Sequence, residues 1–129
     1  MIDKIFPQSN PNIVVWLYAG LSEKLTENAK NAIEDSDLLV SQMVRLELQY
    51  LFEIGRITVN PSIILKSLSR SINLKISDFP LREVIEESLK IDWTRDVFDR
   101  MLTAEASATE NKLITADEPI QANFKQAIW

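Results

Sequence analysis

Acidic side chains are the main candidates for chemistry in this sequence. It contains no histidine and no cysteine, which excludes disulfides, thiolate or imidazole metal ligands, a cysteine nucleophile and every Ser-His or Cys-His mechanism. Acid–base or metal chemistry would fall mostly to carboxylates, whose oxygens suit Mg²⁺ or Mn²⁺ better than zinc or copper. Three segments carry the candidates: Glu47 in QMVRLELQYLFEIGRI, Asp96 and Asp99 in RDVFDRMLTAEA, and Asp117 in LITADEPI. At roughly 100° per residue Glu47 falls beside the apolar stripe of Val44, Leu48 and Leu51, at the edge of a buried face. Asp96 and Asp99 are three apart and share one side of a helix, which Thr103 and Ser107 continue, while Val97, Phe98, Met101 and Leu102 fill the opposite arc. Asp117 directly follows an apolar strand, where a parallel sheet presents side chains to a crevice. Each acid also has a plain structural role open to it: Glu47 as a helix-surface charge, Asp96 at a helix N-terminus, Asp117 as a helix cap.

The elements that must position these acids follow from periodicity and punctuation. Pro11 opens a helix over Ile13, Val14, Trp16, Leu17 and Leu21, with Gly20 as a stop. Thr26 to Ile33 is a second helix, Glu34-Asp35-Ser36-Asp37 a loop, and Leu38-Leu39-Val40 a short buried strand. A helix from Ser41 repeats apolar residues at 44, 48, 51 and 52 and ends at Gly55. Asn60-Pro61 opens the next, Leu74 and Ile76 alternate as a strand, and Pro80 precedes a helix through Leu81, Val84, Ile85 and Leu89. A further helix starts near Arg95, and Lys112 to Thr115 is the final core strand. Strands separated by amphipathic helices predict an α/β fold with a mainly parallel sheet. The length of 129 residues suits one domain, 1–129.

The composition, 46% hydrophobic and 26% charged, is that of a soluble globular protein. No apolar run reaches membrane-spanning length and MIDKIFPQSN lacks a signal-peptide core, so the expected location is cytoplasmic. The net charge of -5 argues against a broad nucleic-acid surface, although Arg45, Arg56, Lys66 and Arg70 are local groups that could meet a phosphate backbone.

The segments WLYAGLSEKL, LLVSQMVRLELQYLFEIGRI and RDVFDRMLTAEASATENKLITADEPI resemble, in that order, successive signatures of PIN-domain toxins of the VapC type, across nearly the whole chain. The resemblance implies a three-layer α/β/α sandwich and a metal-dependent endoribonuclease of a type II toxin–antitoxin system. It further implies Mg²⁺ or Mn²⁺ as cofactor, an RNA substrate, a cognate antitoxin and a homodimer. Its acids map onto Glu47, Asp99 and Asp117 as catalytic metal ligands, with Asp96 and Thr115 supporting them. The departure is at the start. Where the family ends its first strand in Asp-Thr, this chain has Asn10-Pro11-Asn12, which places Asn10, a neutral and weaker ligand for a hard dication, at the leading acid's position. IFPQS is also a poor core strand by its proline. The expectations are a distorted edge strand, an approach by Asp3, or weakened catalysis. Two rival readings accompany the nuclease: a catalytically degenerate PIN-like protein-binding module, and an unrelated small α/β interaction domain whose aromatic residues serve the core.

Overall fold

The computed structural model describes residues 4–7 and 12–129. Five parallel strands form one sheet: β1 (Lys4–Pro7), β2 (Asp37–Val40), β3 (Lys75–Ile76), β4 (Lys112–Ile114) and β5 (Ala127–Ile128), in the order β3-β2-β1-β4-β5. The helices are α1 (Asn12–Ala19), α2 (Glu27–Asp35), α3 (Gln42–Glu53), α4 (Pro61–Ile72), α5 (Leu81–Ser88), α6 (Val97–Ala108) and α7 (Glu118–Asn123). Helix starts are set by short polar side chains that accept from the first free N–H groups: Thr26 for α2, Ser41 for α3 and Asn60 for α4. Gly20 and Gly55 follow α1 and α3 with φ of 72° and 79°, a left-handed conformation that glycine adopts without Cβ strain.

Side chains alternate across a strand, and that alternation separates two apolar layers. Leu38 and Val40 of β2, with Ile114 of β4, join residues of α1, α2, α3 and α4 in one cluster. Leu39 and Leu113 point the other way, into the cluster containing Ala106 of α6 and Ile120 of α7. Val84 of α5 packs with Met101 and Ala104 of α6 nearby. Helices thus cover both faces of the sheet, the three-layer α/β/α arrangement expected from the sequence.

Four local expectations need correction. The proline-containing segment is not a poor edge strand: β1 is the central strand, paired to β2 and β4. Pro7 is tolerated because it comes last in the strand, beyond the Ile5–Leu38 end of the β2 ladder, so its missing donor interrupts no run of bonds. Lys112 to Thr115 is not the final strand, since β5 adds outside it. The loop at 34–37 is divided between the end of α2 and the start of β2. In α6, Val97 is 64% exposed whereas Thr103 is buried, because the stretch from Met101 to Ala106 is enclosed on all sides. Asn10, Pro11 and Asp3 lie outside the described residues.

Candidate functional site

β1 lies at the point where the sheet's connections reverse: the chain moves from β1 to β2 and β3 on one side, then returns to β4 on the other. Ligands of open parallel sheets bind beyond the carboxyl ends of strands at such a point. β1 and β4 run parallel with Pro7 opposite Ile114, so their carboxyl ends lie side by side in the sheet.

Glu47 comes from α3. Ser41 caps that helix through its Oγ, which accepts from the N–H of Met43 at 3.0 Å, and buried Val44 and Leu48 seat it on the core. Glu47, three residues after Val44 and directly before Leu48, is carried against α6, with which α3 packs. Its Oε1 is buried and has no hydrogen-bond partner among the described residues. Burial first, then the negative charges of Asp99 and Asp96, push its carboxyl up from 4.5 to about 8. A plain helix-surface acid would show none of this. Glu47, Asp99 and Asp96 therefore share one electrostatic environment.

Asp96 is the N-cap of α6: its Oδ1 accepts from the N–H of Asp99 at 3.0 Å. One exposed acid thus satisfies a helix-end donor and adds negative charge near Glu47. The start of α6 is held further by Arg100, whose Nε donates to the Ser88 carbonyl at 2.9 Å.

Asp117 follows β4 and caps α7, its Oδ1 accepting from the N–H of Ile120 at 3.0 Å. Thr115, fully buried, accepts the Asp117 N–H on its Oγ1 at 2.9 Å and donates its own N–H to the Ile128 carbonyl at 3.0 Å. Thr115 thus orients the Asp117 backbone and extends the contact with β5. Asp117 stands at the carboxyl end of the sheet as expected, with one oxygen engaged in a cap. Among the described residues, however, no three acids converge closely enough to hold a metal ion between them. The structure brings Glu47 together with Asp99 and Asp96, and does not bring Asp117 into that group.

The donor chemistry nevertheless suits a hard divalent cation. The grouped side chains offer only oxygen atoms, the acids are crowded, and the Glu47 Oε1 lacks a partner among the described residues. A dication would relieve that crowding.

One buried acid escaped the sequence reading. Glu105 is 6% exposed in the middle of α6. Its Oε1 accepts from the Ser41 hydroxyl at 3.4 Å. Burial raises its pKa, and hydrogen bonds from Ser77 and Ser41 partly oppose the rise. The signal was present in the run Thr103-Ala104-Glu105-Ala106. Alanines on both sides of a glutamate mark a helix that approaches its neighbours closely, and such a helix has little outward face to hold a charge.

The chain matches the family model for the PIN domain over residues 12–124. Similar solved structures include the crystal structure of VapBC2 from Rickettsia felis bound to a DNA fragment from their promoter, at 17% identity and a TM-score of 0.67, covering 96% of this chain and 95% of that one. Another is a toxin–antitoxin complex from Klebsiella pneumoniae, at 18% identity and a TM-score of 0.66, covering 98% of this chain and 96% of that one. No curated protein matches the chain. At these identities the two structures speak for the fold, while the family match takes in every acid of the site, from Glu47 to Asp117: the chain belongs to the PIN domain family.

Proposed function

We propose that this chain is the toxin of a type II toxin–antitoxin system, a single-domain endoribonuclease that uses Mg²⁺ or Mn²⁺. The observation that carries the reading is the half-buried Glu47, one oxygen without a partner among the described residues, raised to about 8 beside Asp99 and Asp96. Perturbation of this kind by burial and a specific charged neighbour is characteristic of functional sites.

Glu47 and Asp99 would hold the cation, with Asp117 joining from the end of β4 and Asn10 contributing a neutral amide oxygen. When bound, the cation supplies activation of a water and neutralisation of charge on the phosphoryl oxygens. At neutral pH Glu47 keeps its proton and gives it up on binding, because a carboxylate ligand must be ionised. Asp96 fixes the first turn of α6 and so the direction of Asp99, and Thr115 fixes the turn that presents Asp117.

One of the similar structures is a toxin–antitoxin complex, which supports a cognate antitoxin as partner; a homodimer and a cytoplasmic location complete the reading. No helix among the described residues is long and apolar enough to cross a membrane. The degenerate binding module remains the second reading, favoured by Asn10 and by the lack of a three-acid cluster among the described residues. Incubating a mixed RNA with the native chain and Asp99→Asn in Mn²⁺ separates the two. The nuclease cuts RNA and loses cutting with Asp99, whereas absence of cleavage by the native chain overturns the nuclease reading.

A further inference from the structure

A second surface differs from the acidic site in charge and in shape. α3, α4 and the edge strand β3 enclose a groove of about 550 Å³ lined by Arg45, Leu65, Lys66, Leu74, Lys75 and Ile76, among others. A smaller stretch continues it between α3 and α4, past Leu46 and Gln49. No acid and no aromatic ring lines either stretch. Among the described residues none of Arg45, Lys66 and Lys75 makes an ion pair, although the chain carries an excess of acids. Arg45 is held in place instead by Gln42, whose Oε1 accepts from its Nη1 at 2.7 Å and whose Nε2 donates to the Ser77 carbonyl at 3.1 Å.

We propose that this groove binds an extended acidic peptide segment of a partner protein, with apolar side chains alternating between its acids. The cations supply charge complementarity. The floor of Leu65 and Leu74, with Ile76 39% and Leu46 55% exposed at the margins, supplies apolar contacts that a polyphosphate would not use. β3 pairs only with β2 among the described residues, so its outer edge is available to an added strand, in which alternate side chains face the groove. RNA is the poorer occupant, because sequence-tolerant binding of single strands relies on aromatic stacking platforms and the groove has none. The groove also lies away from the acidic site: Arg45 and Glu47, two residues apart, point about 200° from one another around α3.

The test uses fluorescence anisotropy of the full chain with three labelled probes: a ten-residue peptide alternating Glu and Leu, one of the same charge alternating Glu and Ser, and a ten-nucleotide oligouridine. The Glu/Leu peptide should bind at least about tenfold more tightly than the Glu/Ser peptide. Lys66→Glu combined with Lys75→Glu should weaken it by at least about tenfold, since two exposed attractions become repulsions. Ser69→Trp, which fills the groove without altering charge, should abolish the difference between the peptides and serves if the charge-reversed protein fails to fold. Asp99→Asn should leave peptide binding unchanged, so the outcome is separable from that of the nuclease reading. No binding, equal binding of the two peptides by the native chain, or a preference for the Glu/Leu peptide that survives Ser69→Trp overturns the proposal; oligouridine binding lost in the same variants replaces the peptide with a nucleic acid.

Discussion

Removing the charge at Glu47 should make the cation-free protein more stable in mild alkali, and the structure sets the size of the effect. In the folded chain the carboxyl is raised from 4.5 to about 8 by burial and by Asp99 and Asp96. A group whose folded pKa lies above its unfolded value leaves stability intact below the unfolded pKa. The folded state then loses stability as pH rises through the folded value. The loss therefore begins near pH 4.5 and is complete above about pH 8. At about 1.4 kcal/mol per pKa unit the full rise corresponds to roughly 5 kcal/mol. Glu47 keeps contact with solvent, and screening reduces this to about 1–2 kcal/mol. For a domain of this length, with unfolding entropy near 2.1 cal/mol/K per residue, that is about 4–7 °C in Tm. Glu47→Gln keeps the shape and cannot ionise. Thermal unfolding in EDTA at pH 5 and pH 8.5 should give native and variant proteins similar melting temperatures at pH 5, with the variant higher by that amount at pH 8.5. Millimolar Mn²⁺ should restore the native protein at pH 8.5 and leave the variant largely unmoved, because a cation bound only by the folded state stabilises it. Identical pH profiles for the two proteins would show that Glu47 is not crowded by Asp99 and Asp96, and the site assignment would fail with it.

Asp117 offers a separation of roles: Asp117→Ala should cost about 1 kcal/mol through loss of the α7 cap. Asp117→Asn should retain most of that stability and still lose RNA cleavage, as urea unfolding beside a cleavage assay would show. Glu105→Gln should flatten a second loss of stability with rising pH, in the same direction as that of Glu47 because burial raises this acid also; urea midpoints followed upward from the ordinary carboxylate range measure it, and equal slopes would refute it. Asn10→Asp should restore a charged ligand and raise Mn²⁺-dependent RNA cleavage by about tenfold, the equivalent of about 1.4 kcal/mol in the barrier. Absence of any gain in a chain that already cuts RNA would mean that Asn10 does not occupy the leading ligand position.

Helices were legible where an apolar stripe and a cap coincided. Ser41, the repeat at 44, 48, 51 and 52, and Gly55 delimit α3 to within a residue or two of Gln42–Glu53, and Asn60-Pro61 does the same for α4. Both signals are local: a cap needs only nearby N–H groups, and a stripe reports burial without naming the partner. The sheet was less legible because its strands have only two to four residues. Over such a length alternation cannot be told from chance, so β5 passed unnoticed and β1 was judged by its proline alone. A proline argues against a central strand when it falls mid-ladder. Whether Pro7 falls there depends on where β2 stops, which is a fact of pairing and absent from the local sequence.

The same distinction between local and nonlocal information explains the site. That Glu47 borders a buried stripe is a property of one helix and could be read directly. That Asp99 and Asp96 lie close enough to raise its pKa depends on the packing of α3 against α6 across about fifty residues of chain, and only the family resemblance anticipated it. Glu105 shows the converse. Read by hydropathy it is an exposed charge; read by its alanine neighbours it belongs to a helix with no room for an exposed side, and its carboxyl meets Ser41 instead. Ser41 caps the helix that bears Glu47, and Glu105 lies six residues beyond Asp99 on α6. The buried Glu105–Ser41 contact therefore links the two helices whose separation sets the charge crowding at Glu47. Hydropathy misplaces Glu105 because it scores each residue alone, whereas a buried acid is tolerable only through hydrogen-bond partners that another element brings to it.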